Sequence, residues 1–279
     1  MPYEFLNPGQ CIDKYNVVYH DAELDARGKR YKKAEKYLVL HEVWSRNKNN
    51  YQEESGQWNQ YKGVVTWNKL IYEKYKDRYN MVYCDQFMNM AIERVSNYIP
   101  FSNRNNDLCV IYGNPASQDS QIMMARYDLP LALKNLGLSV SAYGLIPDRS
   151  RKEYRPEWQS IFKGSLPPHS KKDALGITKF SICFENSRDP FYAYDWITEK
   201  IYDCLGCGCI PIYWGAPNIK DVVPGDLFID WRDFQDANDL YSYLIDTPRY
   251  IFRRMSEEGP KFIDTIDFCR FQEVFDNLK

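Results

Sequence analysis

No stretch of this 279-residue sequence approaches the roughly 18 consecutive apolar residues that a helix needs to cross a bilayer. Its first residues, Met1-Pro2-Tyr3-Glu4-Phe5, lack the basic-then-apolar order of a secretory signal. The expectation is a soluble chain without a membrane segment. Two settings fit: a cytoplasmic protein, which we favour, or the lumenal catalytic part of a membrane-anchored protein whose anchor lies outside this segment. A basic excess is also missing. The 36 Lys and Arg against 38 Asp and Glu leave no surplus of positive charge for a phosphate backbone, which argues against nucleic acid as a partner. Neither an internal repeat nor a low-complexity tract is present. No G-x-G-x-x-G follows any predicted strand, which counts against a reductase-like dinucleotide domain. Histidine is scarce, at three, and none lies near Cys204-Leu205-Gly206-Cys207-Gly208-Cys209. That cysteine cluster therefore lacks the second Cys or His pair of a finger-type zinc site, and no metal site is expected. It reads better as a helix ending at Gly206 or Gly208 before a tight turn into a strand. Of the eight cysteines, several fall inside apolar strand-like runs where free thiols pack well, so reduced thiols are expected.

What is present is the alternation of an α/β protein, long enough for two lobes. Tyr15 to His20, Tyr37 to His41, Val64 to Trp67 and Met81 to Tyr83 have strand composition. The polar run Ser96 to Asp107 has the composition of a linker, and Leu108 to Tyr112 opens a second series. We therefore divide the chain into residues 1–104 and 105–279. In the second part, Ser120 to Leu136 is a predicted helix closed by Gly137, Leu138 to Tyr143 a strand, and a long Arg-, Lys- and Pro-rich loop runs to about Leu175. Leu227 to Asp230 is a predicted strand, with helices over Ala237 to Ile245 and Tyr250 to Glu258.

The segment from Lys179 to Gly215 carries the most chemistry. Phe180 to Phe184 is an apolar strand, Ile197 to Leu205 places Ile197, Ile201, Tyr202 and Leu205 on one helical face, and Cys209 to Trp214 is the next strand. Such a βαβ unit belongs to a parallel sheet, whose ligands sit beyond the carboxyl ends of the strands. Glu185, Asn186, Glu199 and Lys200 fall on that side. With Asp195 or Thr198 as its cap, the helix start offers free amides and a positive dipole end to a phosphate. Lys200 is electrostatically misplaced in a first helical turn unless something anionic compensates it.

F-E-N-S, I-T-E-K-I, G-C-I-P-I-Y-W-G-A-P-N and F-I-D, in that order, resemble the α-1,3/1,4-fucosyltransferases of glycosyltransferase family 10. Tyr37 to Glu42, Val65-Thr66-Trp67-Asn68, Tyr112-Gly113-Asn114 and Ala142-Tyr143-Gly144 look like further landmarks, so the likeness runs from about Val17 to Phe234. The resemblance implies the two facing Rossmann-like lobes of a GT-B fold, with the first lobe short here. It implies inverting transfer of L-fucose from GDP-fucose to a glycan hydroxyl, with no cofactor required. Glu42 matches the proposed general base, Lys200 and Arg126 the cations facing the diphosphate, and Asn186 and Glu199 positions that contact the donor's ribose or sugar. Glu185 reads as structural, and His41 as a packed or turn residue. Trp196 stands where the family has a tyrosine beside the base, so it is expected to stack there. Departures are the residues Val43-Trp44-Ser45 after Glu42 and the nine residues from Arg188 to Trp196, longer than in familiar members and expected to border the donor pocket. Two rivals remain open: a transferase of the same fold with another nucleotide sugar, and an inactive nucleotide or glycan binder.

Overall fold

The computed structural model describes residues 17–20, 35–40, 51, 56–84, 92–112, 119–144, 155–268 and 274. Two sheets form, and every described strand pairing in them is parallel. The first has the order β1 (Val17–His20), β2 (Glu35–Val39), β3 (Gly63–Thr66), β4 (Met81–Tyr83). The second holds β5 (Asn106–Tyr112), β6 (Val140–Gly144), β7 (Phe162–Gly164), β8 (Thr178–Phe184), β9 (Ile210–Trp214) and β10 (Ile229–Asp230) in the order β10-β9-β8-β5-β6-β7. The helices are α1 (Lys69–Tyr75), α2 (Ser120–Asn135), α3 (Lys171–Leu175), α4 (Glu199–Gly206), α5 (Ile219–Val222), α6 (Ala237–Asp246) and α7 (Arg249–Asp264). This is the two-lobed α/β architecture that the sequence implies.

The second sheet is covered on both faces, which is why its central strands read as nearly continuous apolar runs. Leu108, Val110, Phe180, Ile182 and Ile212 pack against the α2 and α6 side. Cys109, Cys183 and Tyr213 point to the α4 side, with Ile201, Leu205 and Ile263. Asp119 caps α2 by accepting from the amides of Gln121 and Ile122, and Gly137 follows the helix at φ +112°. The first sheet has its own core, including Leu38, Leu40, Trp58, Val64 and Ile71.

Several expectations need correction. The stretch before Leu175 is not one long loop: β7 and α3 lie within it. Helix α7 runs on through Pro260 to Asp264, because Phe252, Met255 and Ile263 keep one face buried along its length. Residues 92–104 are not a free linker. Ile92 and Val95 pack against the second sheet's core and Phe101 enters it. Arg104 is buried and donates to the carbonyls of Ile99, Thr178 and Cys207 at 3.0, 2.8 and 3.0 Å. The polarity that suggested a linker here supplies donors to buried carbonyls.

Candidate active site

From β5 the chain passes to β6 on one side and, later, to β8 on the other, so the strand order reverses between β5 and β8. A crevice at such a point is where open parallel sheets take ligands. A cavity of about 240 Å³ lies there. Ile111 and Tyr112 of β5 and Ser181 to Cys183 of β8 line it, with Arg126 from α2, Lys171 and Leu175 from α3, and Glu199, Lys200, Asp203 and Cys204 from α4; Asn186 completes it from the loop after β8.

Four of the predicted residues thus converge: Arg126, Asn186, Glu199 and Lys200. Arg126 is not the exposed charge that a mid-helix arginine usually is. It is 1% exposed, donates to the Phe184 carbonyl at 2.6 Å and to Asn186 Oδ1 at 3.0 Å, and lies over the Tyr112 ring at 5.3 Å. These contacts hold a guanidinium, which cannot be discharged, at the cavity wall.

Helix α4 begins differently from expectation. Thr198 is its N-cap, yet its side chain makes no capping bond. The fully buried carboxylate of Glu185 takes that role: it accepts from the Thr198 amide at 2.8 Å and from the Thr198 hydroxyl at 3.0 and 2.9 Å. It also accepts from Lys200 Nζ at 3.0 Å, and Lys200 donates to Thr198 Oγ1 at 2.8 Å. The anion that compensates Lys200 is therefore built into the fold. Gly215 makes it possible, since a Cβ there would come within 2.4 Å of Glu185 Cγ. With two of its three ammonium protons so engaged, Lys200 keeps one donor for the cavity.

On the far wall, Lys171 Nζ stands 2.8 Å from Asp203 Oδ2 and 3.5 Å from Glu199 Oε1. The Glu93 amide donates to the other oxygen of Asp203 at 2.9 Å. Burial pushes the Asp203 carboxyl up to about 6 in spite of Lys171. Burial acts on Glu199 the same way, but Lys200 and Lys171 outweigh it and hold that carboxyl below its ordinary value. Neither Lys171 nor Asp203 was found from the sequence; the spacing of Glu199 and Asp203, one turn apart on α4, was the available signal.

Trp196 does not line the cavity. It is 2% exposed and packs on Trp67 of the first lobe, ring centroids 4.8 Å apart. Its ring thus sits at the seam between the lobes, apart from the four residues that converge on the cavity. Asp195 is not the cap of α4 either: its φ is +63°, and it accepts from the Lys69 amide at 3.1 Å and from Asn218 at 2.6 Å. The nine-residue loop Arg188 to Trp196 joins the lobes instead of walling the pocket. Phe191 and Tyr192 pack on the first lobe's core, and Asn68 Nδ2 donates to the Phe191 carbonyl at 2.7 Å. Glu42, His41, Gly113 and Asn114 lie outside the described residues. Leu40, the last described residue after β2, accepts from Trp67 Nε1 at 2.6 Å. Among the described residues no group of three or more His, Cys, Asp or Glu is arranged to hold a metal ion, and six cysteines are buried free thiols. No helix among them is long and apolar enough to cross a membrane.

The chain is 34% identical over 101 residues to Helicobacter pylori alpha-(1,3)-fucosyltransferase, covering 35% of this chain and 20% of that protein. It is 32% identical over 142 residues to the human 3-galactosyl-N-acetylglucosaminide 4-alpha-L-fucosyltransferase, covering 44% of this chain and 38% of that one. It therefore spans well under half the length of these curated relatives. Among solved structures, an alpha1,3-fucosyltransferase with GDP matches at a TM-score of 0.57 and 17% identity, covering 97% of this chain and 78% of that one. S. aureus TarM in complex with UDP matches at 0.62 and 11%, covering 94% and 55%. Likenesses this remote establish the GT-B fold. The profile described as glycosyltransferase family 10 (fucosyltransferase) C-term matches residues 101–250, more than half of the chain and all of the cavity's lining, and on that ground the chain belongs to glycosyltransferase family 10.

Proposed function

We propose that this chain is an inverting fucosyltransferase, which moves L-fucose from GDP-fucose to a glycan hydroxyl, forming an α-1,3 bond to an N-acetylglucosamine unit. The observation that carries this reading is the convergence of Arg126, Lys200, Asn186 and Glu199 on one cavity at the strand-order reversal of the second sheet. The donor assignment draws on the relatives, whose names specify fucosyl transfer, and on the similar fucosyltransferase solved with GDP and with GDP-fucose.

In the single displacement we envisage, an acceptor hydroxyl attacks the anomeric carbon of fucose while the bond to the β-phosphate oxygen breaks. Two needs follow: a base for the hydroxyl proton and positive charge for the departing diphosphate. Glu42, just beyond β2, is our candidate base. The Leu40 to Trp67 hydrogen bond and the Trp67 to Trp196 contact support it, because they link the end of β2 to the residues entering α4. Arg126 and Lys200 meet the leaving group's charge, and we propose that the reaction requires no cofactor.

A thermal-shift panel of GDP, UDP and CDP tests the donor, because a ligand that binds only the folded state raises its apparent stability. GDP alone should stabilise strongly; stabilisation by UDP and not GDP would overturn the assignment. With labelled GDP-fucose on a glycan array, Glu42→Gln should lose turnover and keep GDP affinity, and turnover should persist in EDTA. GDP binding without fucose release to any acceptor or to water identifies an inactive binder instead.

A further inference from the structure

We propose that Lys171 is a positioning residue of the donor site: its ammonium, pinned by Asp203, fixes the Glu199 carboxylate at the cavity wall as an acceptor for vicinal hydroxyls of the bound nucleoside diphosphate. This rests on the nucleotide reading of the cavity given above.

Geometry carries the inference. Glu199 and Asp203 sit one turn apart on α4, where like charges repel by a few tenths of a kcal/mol even in an exposed helix. Lys171 enters between them from a different helix, α3, and touches both. The three partners are not equivalent. Asp203 is 3% exposed and held at both oxygens, by Lys171 at 2.8 Å and by the Glu93 amide at 2.9 Å, so it is the anchor of the trio. Glu199 is 37% exposed, and Lys171 approaches its Oε1 at 3.5 Å, a looser contact than the one to Asp203. Its carboxylate therefore keeps acceptor capacity toward the cavity that it lines. An ionised carboxylate accepts and cannot donate, so the ligand group that suits it carries O–H or N–H and no negative charge. On a nucleoside diphosphate held by Arg126 and Lys200 through its phosphates, the ribose hydroxyls meet that description. Lys200 and Lys171 together keep Glu199 ionised against its burial, and Lys171 is the one of the two not already paired with Glu185.

A purely structural Lys171, neutralising two carboxylates to hold α3 on α4, would affect every ligand alike. The test is the affinity of the full chain for GDP and for 2′,3′-dideoxy-GDP by calorimetry. Wild type should prefer GDP by about tenfold or more, the range of a hydrogen bond to a charged group. Lys171→Met should lose most of that preference by weakening GDP and sparing the dideoxy compound, and Lys171→Arg should restore it. Should Lys171→Met fail to fold, Glu199→Gln and Lys171→Gln give the same reading. Glu199→Gln should abolish the preference, and Lys171→Gln should reduce it. Equal weakening of both ligands by the Lys171 variants, or a wild type indifferent to the ribose hydroxyls, overturns the proposal while leaving the donor assignment standing. Absence of GDP binding by wild type removes the donor assignment and this inference with it.

Discussion

Replacing Glu185 by Gln asks how the start of α4 is held and what Lys200 faces. The substitution keeps the shape of the side chain and an oxygen for the Thr198 amide, but removes the charge that Lys200 Nζ meets at 3.0 Å. Breaking a buried ion pair costs about 3–5 kcal/mol. Lys200 is 22% exposed and can recover some hydration, which places the loss at the lower end, about 3 kcal/mol. For a chain of this size that lowers the melting temperature by about 6–12 °C, at roughly 2–4 °C per kcal/mol. Ligand binding then adds a second readout. GDP at a hundred times its Kd stabilises the wild type by about 2.7 kcal/mol. In Glu185→Gln its diphosphate would supply the anion that Lys200 has lost, so the upward shift produced by GDP should exceed that of the wild type. Lys200→Met strands a fully buried carboxylate and should be the more damaging single change, whereas the double variant should recover part of the loss. Differential scanning fluorimetry with and without GDP measures all of this. A melting temperature of Glu185→Gln within about 1 °C of wild type would refute the capping argument, judged against the expected scale. A GDP shift no larger than the wild type's would refute the claim that Lys200 faces the phosphates.

Arg126→Lys should weaken GDP binding at least tenfold despite the retained charge, because Arg126 serves both Phe184 and Asn186 from Nη2 alone, whereas a lysine must serve those two acceptors and a phosphate from a single nitrogen; isothermal titration checks it. Asp203, with its carboxyl raised from 3.8 to about 6, holds a proton in the folded state that the unfolded chain has released between those values. Its contribution to stability is present below about pH 4 and is lost as pH rises through about 6, amounting to about 3 kcal/mol. Denaturant titrations should show wild type losing stability relative to Asp203→Asn across that window. Trp67→Ala, which empties the space against Trp196 and removes the donor to Leu40, should cost about 3–5 kcal/mol in urea unfolding.

The parts of this molecule that were legible in the sequence are those governed by local periodicity. Strand β8, helix α4 and strand β9 were located to within about two residues because both faces of the sheet are buried and the helix has one apolar side. Asn186, Glu199 and Lys200 could be brought to one place because strand ends in a parallel sheet share a side, whereas Arg126 was placed there by the family resemblance alone. What stayed hidden depends on contacts distant in sequence. Glu185 caps a helix thirteen residues away, a pairing that no capping pattern encodes. Helix α3 is too short to show a period, so Lys171 read as loop charge. The contact of Trp196 with Trp67, 129 residues away, is likewise visible only in the fold.

The seam between the lobes bears on how substrate could enter. Lys69 N–H to Asp195, Asn68 to the Phe191 carbonyl, and the paired indoles of Trp67 and Trp196 all cross it within one short patch. A wide swing about that patch would strip two backbone-directed hydrogen bonds and bare two tryptophans to water at once. A rotation that spares these contacts has to pivot on this patch, and the donor we propose would then enter by a path that leaves the indole pair closed.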